Sequence, residues 1–192
     1  MIILKNMTNN KIILGFVGPI AAGKGTSCAY LKDKHDAQIF RFSTILRDVL
    51  DRFYLPQSRE NLQNVSTVLR QVFGEDLLAQ TIATDVKKST ASIIALDGVR
   101  RLADIKYLKD DPNFHLVEIT ADQKIRYERL LKRTENSDDQ AKSFEEFQKD
   151  EQQETEIQIN EVAKNAEFHI NNNSSFDDLY RLIDNIINQT SK

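Results

Sequence analysis

The stretch GFVGPIAAGKGT, residues 15–26, decides the fold of this 192-residue chain. It follows an apolar run at Lys11–Val17 and precedes a helical pattern at Thr26–Lys34. Glycines carry no side-chain bulk, so backbone N–H groups can wrap closely around phosphate oxygens, and a helix N-terminus adds a favourable dipole. A lysine in such a loop brings a point charge to the terminal phosphates of a nucleoside triphosphate. The stretch therefore predicts a phosphate-binding loop.

The loop departs from the general pattern at one position. A serine or threonine usually follows the lysine directly, whereas here Gly25 intervenes and the hydroxyl comes from Thr26. This shift predicts that Thr26 assists Mg²⁺ largely through water. The alternative is a glycine-rich turn that only joins strand to helix. The residues predicted to hold ATP are Gly18, Ala21, Ala22, Gly23, Lys24, Gly25 and Thr26.

Short apolar runs elsewhere in the chain predict the strands of a sheet. The runs are continuous rather than alternating, which is typical of a parallel sheet covered on both faces. Helical patterns separate them, so we predict an α/β fold with a parallel sheet of about five strands flanked by helices. The predicted strands are Lys11–Val17, a weaker candidate at Gln38–Phe42, Ser92–Leu96, Phe114–Ile119 and Phe168–Ile170. The predicted helices before the third strand are Thr26–Lys34, Thr44–Phe53, Arg59–Phe73 and Asp76–Lys88.

Three later helices are predicted from capping-box signals at their first turns. Thr120 is followed by Gln123, Ser143 by Glu146 and Ser175 by Asp178. Such pairs satisfy backbone N–H groups that a helix start leaves without partners.

Composition limits the classes of protein that the chain can represent. It is 40% hydrophobic and 29% charged, which suits one globular domain over residues 1–192. A net charge of −3 gives no reason to expect nucleic acid binding. The sequence lacks an apolar run near the roughly 20 residues that span a bilayer, so we expect no membrane insertion. The single cysteine, Cys28, excludes an intramolecular disulfide and predicts a cytoplasmic protein.

An acid follows the third predicted strand, where Asp97 begins the stretch DGVRR, residues 97–101. Ligands of open α/β sheets bind at the carboxyl ends of the strands. A carboxylate there, beside a phosphate loop, can hold Mg²⁺ or its waters. We therefore predict Asp97 as a metal-binding residue together with Thr26. The alternative is an Asp-Gly turn with exposed arginines.

Gly-Lys-Gly-Thr in this setting resembles the phosphate loop of adenylate kinases and other nucleoside monophosphate kinases. The longer stretch GPIAAGKGT is most similar to a group of adenylate-kinase-related P-loop proteins, many of archaeal type and some labelled dephospho-CoA kinase-like. The resemblance implies a P-loop kinase fold that uses ATP and Mg²⁺ as cofactors. It also implies a helical acceptor-binding region at about residues 43–90 and a short lid at about residues 134–150, which includes the polar segment TENSDDQ.

The same resemblance implies residues for the acceptor. DGVRR resembles the Asp-Gly-x-x-Arg element of monophosphate kinases and so places Arg100, ahead of Arg101, at the acceptor phosphate. Residues 42–47, FSTILR, are similar to a Ser-Thr-x-x-x-Arg stretch that binds the acceptor, which implies roles for Ser43 and Arg47. Alternatively, Ser43 caps the following helix and Arg47 is an exposed helix residue.

Monophosphate kinases carry arginines at the lid hinge, where they reach the donor and transferred phosphates. The resemblance therefore implies catalytic roles for Arg129 and Arg133, with Arg126 ranked third. The alternative is a solvated basic helix face. Asp150 matches an acidic position of the related group, although a solvated acidic face explains it equally well.

These patterns predict an enzyme that transfers phosphate from ATP to a nucleoside monophosphate, with nucleotides as its only expected partners. Two alternatives stay open. A dephospho-CoA kinase-like enzyme would phosphorylate a hydroxyl and would need Asp150 or Asp97 as a base. A regulatory P-loop module would bind ATP without transferring phosphate. The sequence does not decide between a monomer and a homodimer.

Overall fold

The computed structural model describes residues 11–132, 140, 142–151 and 154–191, with the backbone alone at Arg59, Asp150 and residues 154–157. Within these residues, the strands are β1 (Ile12–Val17), β2 (Gln38–Arg41), β3 (Ile93–Val99), β4 (Phe114–Thr120) and β5 (Phe168–Asn171). The helices are α1 (Lys24–His35), α2 (Phe42–Arg52), α3 (Arg59–Phe73), α4 (Leu77–Lys88), α5 (Leu102–Ile105), α6 (Gln123–Leu130), α7 (Phe144–Glu151), α8 (Glu154–Ala163) and α9 (Phe176–Thr190).

The strands form one parallel sheet in the order β2-β3-β1-β4-β5, which confirms the predicted α/β fold. After β1, the chain builds β2 and β3 on one side and then β4 and β5 on the other. The carboxyl end of β1 is therefore the point where the strand order reverses. Open α/β sheets bind ligands at such a point.

Both faces of the sheet are covered, which explains the continuous apolar run of β1. Ile13 and Val17 pack into one core cluster with residues of α2, α4 and α8. Leu14 and Phe16 pack into a second cluster with α1 and α9. Alternate residues of a strand point to opposite faces, so a strand buried on both sides must be apolar at every position.

The helix starts test the capping predictions. Ser143 Oγ accepts a hydrogen bond from the Glu146 N–H at 3.2 Å, and the Glu146 carboxylate accepts the Ser143 N–H at 2.8 Å, which confirms that capping box. Ser175 likewise caps α9. The prediction for Thr120 is wrong, because Thr120 ends β4 and its hydroxyl donates to the Ile170 carbonyl of the neighbouring strand.

Two predicted element boundaries also change. Helix α2 begins at Phe42, with Arg41 as its N-cap, so Ser43 lies inside the first turn and does not cap the helix. Lys11 precedes β1, and its Nζ donates to the carbonyls of Val86 and Ser89 at the end of α4. A cation at a helix C-terminus stabilises the unpaired carbonyls there. Among the described helices, none combines the length and apolar character of a membrane span.

Candidate functional site

The loop between β1 and α1 is fixed by glycines that other residues cannot replace. Gly18 has φ 144° and Gly23 has φ 116°, a region that favours glycine. A Cβ on Gly18 would lie 2.0 Å from the Ile119 carbonyl oxygen, and one on Gly23 would lie 2.3 Å from Asn172 Nδ2. The loop therefore packs directly against the ends of β4 and β5.

Ala21 also lies in the left-handed region, with φ 58°. This conformation costs a non-glycine residue on the order of 1–3 kcal/mol and persists only when the surroundings impose it. The next residue, Ala22, is buried, and its carbonyl accepts a hydrogen bond from Asn172 Nδ2 at 2.8 Å. Asn172 thus holds the loop from the far end of the chain. Sequence reasoning missed it.

Lys24 is the first residue of α1 and turns back over the loop. Its Nζ donates to the carbonyls of Gly18 at 2.6 Å and Pro19 at 2.8 Å. Helix α1 has 12 residues, so the loop ends at a full helix N-terminus. Converging N–H groups and a nearby ammonium group together form a site suited to an anion. The structure thus brings the predicted residues 18–26 together around one concave backbone.

Asp97 lies at the carboxyl end of β3, as expected, and is 7% exposed. Its Oδ2 is 2.5 Å from Nη2 of Arg41, the last residue of β2. Gly25 is close to this pair, because an ideal Cβ on it would lie 3.7 Å from Arg41 Nη2 and 3.9 Å from Asp97 Oδ2. The carboxylate therefore sits beside the loop and already attracts a cation.

The buried thiol of Cys28 on α1 shows how compact this charged group is. Burial raises the pKa of Cys28 well above its usual value, and the negative charge of Asp97 raises it further, while Arg41 and Lys24 oppose the shift. All three charged groups thus act on one side chain. Sequence reasoning missed Arg41, whose partner Asp97 lies far along the chain.

Arg126 is buried and ties the loop to two helices. Its Nε donates to the Ala121 carbonyl at 2.8 Å, and Nη1 donates to the Ile20 carbonyl at 3.3 Å. Nη1 also forms an ion pair with Glu151 of α7. These contacts occupy Nε and Nη1 of the guanidinium and hold the phosphate loop against α6 and α7.

Arg129 is placed differently, beside the loop that follows β5. Its Nη2 donates to the Asn172 carbonyl at 2.9 Å, while Nη1 is buried without a hydrogen-bond partner among the described residues. Burial lowers the pKa of this guanidinium. A buried donor without a partner is costly, so the arrangement suits an anionic or carbonyl oxygen from a ligand. Arg133 and, in the predicted lid, residues 134–139 and 141 lie outside the described residues, and the side chain of Asp150 does too.

Arg100 follows β3 and is exposed. The turn that carries it is held by Asp104, whose Oδ2 accepts the backbone N–H groups of Arg100 at 2.9 Å and Arg101 at 3.0 Å. Arg101 turns away to Glu75, 3.2 Å distant. The structure thus separates the two arginines, with Arg100 at the edge of the site and Arg101 in a surface ion pair.

Asp104 in turn faces Arg70 of α3, another residue that the sequence did not reveal. The two side chains are largely buried, and Arg70 Nη2 lies 3.7 Å from Asp104 Oδ1. That oxygen finds no hydrogen-bond donor in the described structure. Burial raises the pKa of the Asp104 carboxyl, although the backbone N–H groups and Arg70 oppose the rise. The pair connects α3 to the turn that carries Arg100.

Ser43 and Arg47 lie on α2, beyond β2. Ser43 is half-buried in the first turn, and Arg47 Nη1 donates to Gln57 Oε1 at 2.7 Å in the loop before α3. The α2–α3 loop nearby exposes Phe53, and Tyr54 is 91% exposed. Arg47 thus lies on the partly exposed surface of α2, where its described hydrogen bond is to Gln57 and not to Asp97 or Lys24.

A separate cavity of about 720 Å³ lies between α5, α8 and β4. It is lined by Phe114 at the amino end of β4, whereas the phosphate loop follows the carboxyl end of β1. The cavity therefore lies at the end of the sheet opposite the phosphate loop. Among the described residues, His, Cys, Asp and Glu nowhere form a group of three that could hold a metal ion by themselves.

Comparisons with known proteins agree with this geometry. A family model described as an AAA domain matches residues 17–148. A UPF0200 protein of Saccharolobus islandicus is 25% identical over 186 residues, covering 95% of both chains. A UPF0200 protein of Methanocaldococcus jannaschii is 25% identical over 180 residues, covering 93% of this chain and 90% of that protein.

Solved structures show the same fold at lower identity. A shikimate kinase from Bacteroides thetaiotaomicron has a TM-score of 0.61 at 12% identity, covering 94% of this chain and 99% of the other. TT1252 from Thermus thermophilus has a TM-score of 0.56 at 18% identity, with coverages of 93% and 97%. A shikimate kinase from Acinetobacter baumannii, solved in complex with shikimate, has a TM-score of 0.52 at 16% identity, with coverages of 93% and 94%. The chain thus has a P-loop kinase-like fold.

Proposed function

This chain belongs to the AAA domain family, and we propose that it is an ATP-dependent phosphotransferase acting on a nucleoside or deoxynucleoside monophosphate. The P-loop kinase-like fold supports a nucleotide as the donor. The acceptor is inferred from the residues at the edge of the sheet and from the resemblance of their motifs to those of monophosphate kinases.

The observation that carries the proposal is the position of Arg100 relative to the phosphate loop. Val17 of β1 pairs with Val99 of β3, so Gly18 and Arg100 leave adjacent strands at the same level. Neighbouring strands are about 4.8 Å apart. An exposed guanidinium one strand away from a triphosphate cradle is placed to hold a second phosphate beside the first.

The residues of the loop orient the donor. The N–H groups at the start of α1 point toward bound phosphate oxygens, and Lys24 exchanges its Gly18 and Pro19 carbonyls for oxygens of the terminal phosphates. Arg129 offers its unsatisfied Nη1 from the β5 side. These positive groups neutralise the charge that spreads over the transferred phosphoryl group.

The Asp97 side chain fits a divalent cation, since this carboxylate is buried, lies beside Gly25 of the loop and already attracts a guanidinium. When bound, Mg²⁺ would neutralise charge on the donor phosphates. With few protein ligands available, Asp97 and Thr26 would hold it partly through water and through the nucleotide itself.

Transfer breaks the bond between the γ-phosphorus and the bridging oxygen of ATP and forms a bond to an acceptor oxygen. A monophosphate oxygen is already ionised near neutral pH, so the attack needs no base from the protein. Arg100 holds that phosphate in line, which lowers the barrier through positioning and charge neutralisation. A hydroxyl acceptor would need a base in addition.

The test is ADP release from ATP with Mg²⁺ across ribo- and deoxynucleoside monophosphates and dephospho-CoA. We expect strong stimulation by one monophosphate, with formation of the matching diphosphate and loss of both in Lys24→Ala. Stimulation by dephospho-CoA alone would replace the proposed acceptor with a hydroxyl. ATP binding without turnover in the presence of any of these acceptors would contradict the proposed enzymatic activity and indicate a regulatory module.

A further inference from the structure

Arg41 ends β2, the edge strand on the side of the predicted acceptor region. The parallel register of β2 and β3 pairs Arg41 with Asp97, and the two side chains meet at 2.5 Å. The Asp97 side chain is 10% exposed, whereas that of Arg41 is 36% exposed. The carboxylate is therefore fixed in the site, while the guanidinium has a route to solvent.

Gly25 lies directly beside this guanidinium. Its missing Cβ would point within 3.7 Å of Arg41 Nη2 and 3.9 Å of Asp97 Oδ2. The general phosphate-loop pattern has a serine or threonine at this position, where the hydroxyl serves a metal ion. In this chain, Gly25 stands at that position, the hydroxyl comes from Thr26, and a positive side chain lies beside the loop.

A guanidinium and a divalent cation compete for the same carboxylate oxygen. Asp97 Oδ2 faces both Gly25 of the loop and Arg41. Two cations held at one carboxylate oxygen repel each other strongly when they are partly buried. A cation that arrives at Asp97 must therefore move the Arg41 guanidinium away.

We propose that Arg41 pairs with Asp97 when no ligand is bound and is displaced when Mg²⁺ and nucleotide bind, which frees its guanidinium to bind the anionic group of the acceptor. This inference rests on the proposed phosphotransferase function. Displacement would couple the two halves of the site, because loading the donor would create a binding group for the acceptor.

The position of Arg41 on the chain supports this second role. It is the N-cap of α2, the helix that carries Ser43 and Arg47. A guanidinium released from Asp97 is therefore attached at the start of the helix that carries the predicted acceptor residues. Guanidinium groups bind phosphates in a planar, two-pronged geometry that a lysine cannot reproduce.

The experiment measures binding of the non-hydrolysable analogue adenosine 5′-(β,γ-imido)triphosphate as Mg²⁺ is increased. In Arg41→Gln, we expect half-maximal binding at a Mg²⁺ concentration about fivefold lower than in wild type. The same variant should melt at a lower temperature without ligand, because Asp97 loses its partner, and should recover more of that loss than wild type does when Mg²⁺ and analogue are added. With an active acceptor, its KM should rise about tenfold or more.

Arg52→Gln is the matched control, since Arg52 is exposed at the end of the same helix. It should change neither the Mg²⁺ dependence nor the acceptor KM. If Arg41→Gln does not fold, Arg41→Lys should shift both quantities in the same directions by smaller factors. An unchanged Mg²⁺ dependence in a folded variant that still transfers phosphate would overturn the inference and leave the proposed function standing. A wild-type chain that does not bind the analogue would overturn both.

Discussion

The proposed donor and acceptor halves of the site are held by different kinds of contact. On the donor side, Lys24, Asn172 and Arg126 all donate to backbone carbonyls of the phosphate loop or its neighbours. On the acceptor side, Arg100 is exposed and Arg47 contacts only a nearby glutamine side chain in the hydrogen bonds described for it. The donor half is thus held through its main-chain carbonyls, whereas the acceptor half depends on exposed side chains that can change rotamer.

This difference separates what is common to the fold from what is particular to the chain. A loop formed from backbone groups accepts any triphosphate and tolerates few substitutions. Exposed side chains on α2 and α3 can be replaced one by one, so they are the place where acceptor choice can change. Phe53 and Tyr54, in the loop between these helices, are large hydrophobic side chains that are also exposed.

The largest effect is expected for Lys24→Ala, in the donor half. The ammonium holds the loop carbonyls and, in the proposed reaction, the terminal phosphates. We expect turnover to fall by about 100- to 1000-fold, measured as coupled ADP release with a saturating acceptor. Lys32→Ala, at an exposed position of the same helix, should stay near wild type. Near-normal turnover in a folded Lys24→Ala protein would remove Lys24 from the mechanism.

The rigidity of the donor half can be broken with a single methyl group. Gly18→Ala places a Cβ 2.0 Å from the Ile119 carbonyl oxygen and should lower the free energy of unfolding by about 3 kcal/mol or more. Gly98→Ala is the control, since Gly98 also has a positive φ, of 88°, but a Cβ there meets nothing within 4 Å. Its cost should be about 1 kcal/mol. Equal losses in urea unfolding would mean that backbone strain, and not packing against β4, dominates.

The acceptor half is tested by comparing two adjacent arginines. Arg100→Ala should raise the acceptor KM by about 10- to 100-fold, because it removes a charge-assisted contact with the phosphate. Basal ATP hydrolysis should change far less. Arg101→Ala should alter KM by less than about threefold, because Arg101 forms a surface pair with Glu75. If both activities fall equally in Arg100→Ala, Arg100 belongs to the donor half.

The mildest test concerns the tie between the loop and the end of β5. Asn172→Ala removes the hydrogen bond to the Ala22 carbonyl and should weaken binding of the ATP analogue by about fivefold, equivalent to about 1 kcal/mol. Asn173→Ala loses two hydrogen bonds with the exposed Asp122, one from the Asp122 N–H and one to its carboxylate, and neither involves the loop, so this variant should bind normally. Titration calorimetry distinguishes the two. An unchanged affinity in Asn172→Ala would show that the loop holds its shape without this tie.

The sequence predicted the central strands well, because burial on both faces demands an unbroken apolar run. It predicted β2 weakly, since an edge strand with half-buried residues lacks that signal. It ended β3 at Leu96, whereas the strand continues through Asp97 to Val99, because pairing with β1 and β2 holds these residues despite their turn-like composition.

The site shows the same division. Residues 18–26 were predictable, since their spacing alone encodes a backbone shape. Arg41 and Asn172 were not, because the importance of each comes from a neighbour that is distant in sequence. The ranking of Arg126 followed from the resemblance to monophosphate kinases, which cannot reveal that its guanidinium reaches Ile20 and Glu151.

The hydrogen bond from Asn172 to Ala22 joins residues 150 positions apart. Synthesis proceeds from the N-terminus at about 5–20 residues per second. The ribosome therefore makes the glycine-rich loop many seconds before the amide that secures it. A growing chain that contains only β1 and α1 has the glycine-rich sequence but lacks Asn172, the residue after β5 that holds the loop. If the chain binds a nucleotide as proposed, binding at full affinity therefore waits until the residues after β5 have been made.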